Sequence, residues 1–358
     1  MLLLLASCAS LRGSLPTNLE KVDVVEVRVE LADPTGSCPG FSVPTTLVAV
    51  ASDGTEYSTH PNGAQKSVKL KHFELVGDGV RVDPETAWLH IPVNPARTFG
   101  ATGQVTVTTA YHTAQGSAAV PIRYDCAYTA DFAGGSGRNG TDGSFGTTGG
   151  DGSSGSESQP GEPGEDGQDG SHGTHGEPGG DADDVLVRVD TLNRPDAEGL
   201  LLVVVESQTT DHSARFLVAE GGSVTVDARG GAGGRGGNGG SGGDGGDGGD
   251  GGEGAPPGNG GDGGDGGNGG NGADGGGGGS VTVLLDPEAP FNPVQVDTAG
   301  GTAGGAGTAG SGGSGGETFS GGNTGRSGRA GKDGASSGRA GQDGPPTKPE
   351  RQAVELSL

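Results

Sequence analysis

From Gly134 to Gly179 glycine occupies every third position, interrupted only at Ser158. The same spacing returns from Gly230 to Gly279 and from Gly301 to Gly334, with a slipped remainder ending at Gly344. These runs hold most of the 82 glycines. A flexible linker has no reason to keep such register. The period matches an extended left-handed helix of three residues per turn, in which residues i and i+3 share one column. Backbone N–H and C=O groups in this helix point sideways and have no partner within it. Bare columns let two backbones approach closely enough to satisfy those groups between helices.

Each run breaks once near its middle: at Ser158 in the first, at Pro256 and Pro257 in the second, and at Phe319 in the third. The expectation is three hairpins of two extended arms each. At about 3.1 Å per residue, arms of roughly 20–25 residues reach about 60–75 Å. The first run has one bare column, the second has two, and the third has one bare column beside one of small residues. The second hairpin is therefore expected innermost, with the others flanking it.

Outside the runs, apolar residues gather into two zones that read as β structure. In the first, Val25, Val27, Val29 and Leu31 alternate with charged residues, the period-two pattern of a half-buried strand. Further strands are expected at 45–51, 67–76, 88–91, 104–111 and 118–124, punctuated by Asp-Gly and Asn-Gly turns. The second zone is discontinuous, with strands expected at 185–190, 200–206, 214–219, 224–228, 281–286, 294–297 and 353–358. If these seven alternate up and down, all three glycine runs leave the sandwich from the same end. The expected organisation is a signal segment at 1–8, a tether at 9–20 and a β-sandwich at 21–131. The glycine runs then fill 132–183, 230–279 and 300–346, and a second sandwich is assembled from 184–229, 280–299 and 347–358. The fold class is all-β with glycine-rich polyproline or polyglycine II helices.

The opening Leu5-Ala6-Ser7-Cys8 resembles the lipobox of bacterial lipoproteins. The resemblance implies lipidation of Cys8, export, and a lipid anchor in the membrane; Ala9 after the cysteine resembles lipoproteins sorted to the outer membrane. Cys38 and Cys126 then remain as an even pair, expected to form a disulfide in an oxidising compartment. Residues 103–124 are similar to the closing strands of bacterial immunoglobulin-like domains. The glycine runs are similar in pattern to the polyglycine II bundles of snow flea antifreeze proteins and phage tail adhesins. The first run also resembles bacterial collagen-like proteins, which would make the chain a homotrimer; the bundle reading favours a monomer. Disordered runs are the third alternative.

The net charge of −25 argues against nucleic acid, because phosphate binding needs a basic face. Glycine-rich chains generate false phosphate-loop and nucleophile-elbow matches, and none here lies on a strand-to-helix turn. His172 and His175 stand about 9 Å apart in one column, too far for one metal ion. Asp244, Asp247, Asp250, Asp262 and Asp265 are the weak metal candidates, since single carboxylates at that spacing converge poorly on a calcium ion. Neither a metal nor another cofactor is expected, and the acid is read as keeping copies of the bundle apart. Trp88, Tyr111 and Tyr124 are expected in the first core. The functional expectation is a non-catalytic, lipid-anchored surface protein whose bundle contacts a glycan or surface ligand. The alternative from another class is an export-linked enzyme or solute-binding protein using His60, His72 or His90 in the first domain.

Overall fold

The computed structural model describes residues 16–358 except 193–196, 198, 319, 320 and 327. The lipobox with Cys8, and the Phe319 break, lie outside the described residues. The described chain is nearly all β, with several small sheets and no barrel. The first unit contains β1 (Val24–Leu31), β2 (Ser42–Val43), β3 (Thr45–Ala51), β4 (Glu56–Ser58), β5 (Lys66–Ser67), β6 (Phe73–Asp78), β7 (Arg81–Val82), β8 (Leu89–His90), β9 (Gly103–Thr109) and β10 (His112–Val120). They form three sheets ordered β1-β3-β4-β5, β10-β9-β6 and β2-β8-β7. Leu47, Ala49, Phe73 and Val107 close one core. Val43, Leu89, Val105 and Val120 close a second.

Two details of the first zone differ from the expected pattern. The β1–β3 register shifts between Val24 and Glu26, so Val24 and Val27 point inward while Val25 is left 58% exposed. Such a shift reverses facing because side chains alternate with period two. Trp88 and Tyr111 are also surface residues rather than core, because the chain reverses beside each of them. Tyr124 is partly covered and donates its hydroxyl to the carbonyl of Thr98 at 2.7 Å.

The second unit begins earlier than its composition suggests. Strand β11 (Ala127–Asp131) pairs in parallel with β15 (Ser223–Asp227), which pairs in parallel with β17 (Val294–Asp297). The opposing sheet runs β14 (Ser213–Val218), β13 (Leu201–Ser207), β12 (Val185–Thr191), β16 (Val281–Leu285), β18 (Glu350–Arg351). Tyr128, Ala130 and Phe132 alternate into the second core with Val187, Val203, Val226 and Val283. The boundary therefore falls near Cys126, not at 131. Continuous burial of Leu201–Val205 follows from its central place: Leu201, Val203 and Val205 face this core, while Leu202 and Val204 face a smaller cluster.

The smaller cluster takes in the C-terminal segment. Leu356 and Leu358 pack beside Leu192, Leu202 and Leu217, with Phe99 and Tyr124 from the first unit. Residues 353–358 form no strand. Their alternation lays apolar side chains across a sheet face, and the N–H of Leu356 donates to Asp190 Oδ2 at 2.7 Å. Cys38 and Cys126 form a disulfide, 88 residues apart in sequence with Cα atoms 6.2 Å apart. It ties the first unit to the start of β11.

Strand directions in the second unit are not a simple up-and-down series. β11, β15 and β17 are mutually parallel, and so are β12, β16 and β18. Each glycine run leaves the end of one strand in the first set and returns to the start of one in the second. All three runs are thus attached at one end, by a repeated strand–arm–turn–arm–strand unit. The register carries through: β11 pairs with β15, and β12 with β16, at an offset of 96 residues.

The reversals of the first two runs are short. In the first run Gln159 donates back to the carbonyl of Ser156 at 3.0 Å, placing Ser158 inside the turn. In the second, Ala255 donates to Gly252 at 2.9 Å and Gly254 adopts φ +79°. The turn therefore precedes Pro256 and Pro257, which begin the returning arm. Glycine supplies the positive φ that proline's fixed negative φ excludes.

Candidate functional surface

The six arms are I (134–155), II (161–180), III (230–252), IV (256–279), V (299–317) and VI (323–344). Arms I, III and V lie parallel in one layer: Gly137 donates to Ala232 and Gly233 to Thr302, each at 2.8 Å. Arms II, IV and VI form the second layer, where Gly164 donates to Asn259 at 2.9 Å and Gly263 to Arg326 at 2.8 Å. Antiparallel bonds join the layers, as from Gly234 to Glu177, Gly264 to Gly243 and Gly328 to Gly313, each at 2.8 Å. These bonds recur every third residue. Arms III and IV each bond to four neighbours, so the second run is innermost.

Packing explains the two bare columns of that run. Gly234, Gly237, Gly240, Gly243 and Gly246 of arm III are buried. A Cβ at Gly243 would lie less than 3.0 Å from the backbone of Thr147, closer than side chains approach a neighbouring chain. At Gly245 it would overlap Gly261 of arm IV. Glycine is needed on both columns because arm III has neighbours on both.

The third column supplies acceptors. Asp142 Oδ1 takes the N–H of Asn238 at 2.7 Å, and Asn238 Oδ1 takes that of Thr308 at 3.0 Å. On the other layer Asp166 Oδ1 accepts from Asp262 at 2.6 Å, and Asp262 Oδ1 from Arg326 at 2.7 Å. Asp169, Asp265 and Arg329 repeat the relay at 2.6 Å per step. Asp244 and Asp247 accept from Ser314 and Glu317 at 2.6 and 2.7 Å. Asp250 contributes its carbonyl, which accepts from Gly155 at 2.7 Å. The metal candidates are therefore acceptors for the adjoining arm, and among the described residues no three His, Cys, Asp or Glu side chains group as metal ligands. His172 and His175 act alike, their Nδ1 atoms accepting from Asn268 and Asn271 at 2.8 Å.

Sequence reasoning missed this role and read the acid only as repulsive. The signal was present: Asp142, Asp166 and His172 precede Asn238, Asp262 and Asn268 by 96 residues. That offset is the register of parallel neighbours.

Carboxylates also secure the neck where arms meet sheets. Hydrogen bonds from the Ser280 hydroxyl and N–H hold Asp184 below the usual carboxylate range. Hydroxyls of Ser207, Thr209 and Thr210 lower Asp183. The Arg229 guanidinium lowers Asp227 through bonds of 2.8 and 2.6 Å.

The first unit offers less. His72 is buried, which pushes it below the ordinary histidine range, and its ring lies 5.7 Å from that of Tyr111. His90 Nδ1 lies 2.6 Å from Ser42 Oγ, and His60 Nδ1 lies 3.3 Å from Thr59 Oγ1. The three histidines are thus engaged separately rather than in one constellation. A groove of about 540 Å³ runs past His60, Lys69, Glu85 and Trp88.

The chain matches no protein-family model, and a search of curated proteins returns no match.

Proposed function

We propose that this is an exported, non-catalytic surface protein, lipid-anchored through Cys8 to the outer membrane or cell surface, whose glycine bundle is a rigid structural or adhesive contact surface. The observation that carries the reading is the continuous hydrogen-bonded array of six arms rooted in a β-sandwich. A bond on every third residue, with glycine wherever backbones touch, supports polyglycine II geometry for the arms. In that geometry arms of about 22 residues project roughly 68 Å from the neck. The Cys38–Cys126 disulfide supports an oxidising compartment. Glycine arms bonded within one chain favour a monomer over a collagen-like trimer.

Two measurements test this reading. Fatty-acid labelling of the expressed chain is expected to depend on Cys8 and to vanish in Cys8→Ala. Purified soluble protein is expected to sediment as a monomer and to adhere to glycan-coated surfaces only while the three glycine runs, 134–180, 230–279 and 299–344, are present between the strands they join. Unlabelled protein confined to the cytoplasm overturns the anchor. Unchanged adhesion after removal of the arms overturns the contact surface.

A further inference from the structure

The two edges of the bundle are finished differently. At the edge of arms I and II, side chains occupy the column that is glycine in the interior. Thr141 and Thr174 meet with hydroxyls 3.1 Å apart, and Ser144 and Ser171 at 3.0 Å. The equivalent position in arm III, Gly237, has no room for a Cβ against Thr141. Another pair of arms cannot extend the ladder past this edge without the same clash.

Arms V and VI are left open. In arm III, Gly233, Gly236 and Gly239 donate to arm V; the matching donors of arm V are the N–H groups of Ala303, Ala306, Ala309, Gly312 and Gly315. Asp333 takes that of Ala309 at 2.8 Å. Among the described residues no acceptor pairs with Ala303, Ala306, Gly312 or Gly315, nor with Ala330 and Ala340 of arm VI. The acceptor column changes as well. Where arms II and IV carry Asp, Asn and His, arm VI carries Arg326, Arg329, Lys332 and Arg339, all exposed. A chain of net charge −25 thus lines one edge with cations beside unpaired donors.

We infer that the edge of arms V and VI docks a linear carboxylated polysaccharide, a polyuronate, laid along arm VI. Its carboxylates would meet Arg326, Arg329, Lys332 and Arg339, and its hydroxyl and ring oxygens would accept from the free N–H groups. Arg326, Arg329 and Lys332, about 9 Å apart along the column, with Arg339 farther on, suit sparse carboxylates, not duplex phosphates at about one charge per 1.7 Å. Single-stranded nucleic acid needs aromatic stacking platforms, which the described residues of arm VI lack. A second copy is disfavoured because the edge of arms I and II is closed by side chains. The inference rests on the reading of the bundle as an ordered contact surface.

The test is titration of the purified chain with polygalacturonate oligosaccharides, with dextran and single-stranded DNA as comparison probes. Arg326→Gln/Arg329→Gln/Lys332→Gln is expected to weaken polygalacturonate binding at least tenfold, and Arg138→Gln on the far edge to leave it unchanged. Exchange of the Gly263, Gly266 and Gly269 amides, measured in the same samples, reports whether the arms remain paired. Protected arms with no polygalacturonate binding, or equal binding of dextran or DNA, overturn the inference and leave the bundle reading standing. Unprotected arms overturn the bundle reading itself. Self-association without polysaccharide that the triple variant abolishes assigns the edge to a second copy and overturns the polyuronate.

Discussion

Gly243→Ala should locally dissolve the contact between arms I and III. The new Cβ would overlap the Thr147 backbone, and relieving it requires the arms to separate by about 1 Å. The flanking bonds from Gly146 to Ser241 and Gly149 to Asp244 are 2.8 Å long. Lengthened by that amount they pass beyond hydrogen-bonding range. Two bonds worth about 1 kcal/mol each are lost, and the half-buried groups they leave cost about 1–3 kcal/mol more, for a total of about 3–5 kcal/mol. Gly305→Ala is the control, because a Cβ there meets nothing within 4 Å and restricts the unfolded chain, a gain of about 0.5 kcal/mol. The assay is urea unfolding followed through the resolved glycine N–H resonances of both arms. Equal midpoints and slopes for the two variants would refute the argument that glycine is required where backbones touch.

Other expectations follow from the same contacts. Asp262→Ala and Asp265→Ala should each free one arm-VI amide, at Arg326 or Arg329, and speed its exchange by about tenfold, worth about 1.4 kcal/mol; unchanged exchange would show that the carboxylates are only solvated. Cys38→Ser/Cys126→Ser should lower stability by about 4–5 kcal/mol on the chain-entropy estimate, read as a lower thermal midpoint of the β units. Asp183, Asp184 and Asp227 have lowered pKa values when folded. Their contribution is therefore present above the ordinary carboxylate range and is lost as pH falls through the folded values, so amides near 182–185 and 228–230 should lose protection in acid before those of β13. Asp190→Ala should release 353–358, detected as new protease sensitivity at the C-terminus.

The bundle was legible because glycine columns record where neighbours lie, and the order of the hairpins follows from counting them. Strand direction was not legible. Alternation in 185–190 and 281–286 fixes which side chains face inward but says nothing of whether neighbouring strands run parallel. The unit to which β11 belongs was equally hidden, because Tyr128 and Ala130 alternate equally well for either core. In the second run Pro256 and Pro257 carry the stronger turn signal, yet Gly254, invisible among glycines, supplies the reversal. The acceptor role of the Asp column was hidden because a repeat of single carboxylates looks the same whether it meets solvent or a parallel neighbour. Only the 96-residue offset shared by the columns and the β sheets separates the two.

Amide hydrogen exchange across residues 134–344 tests the central claim most directly. The account predicts slow exchange throughout the bonded glycines, slowest at Gly237, Gly240, Gly264 and Gly267 in the innermost arms and faster at Gly140 and Gly328 on the outer ones. Uniformly rapid exchange over all three runs would contradict it.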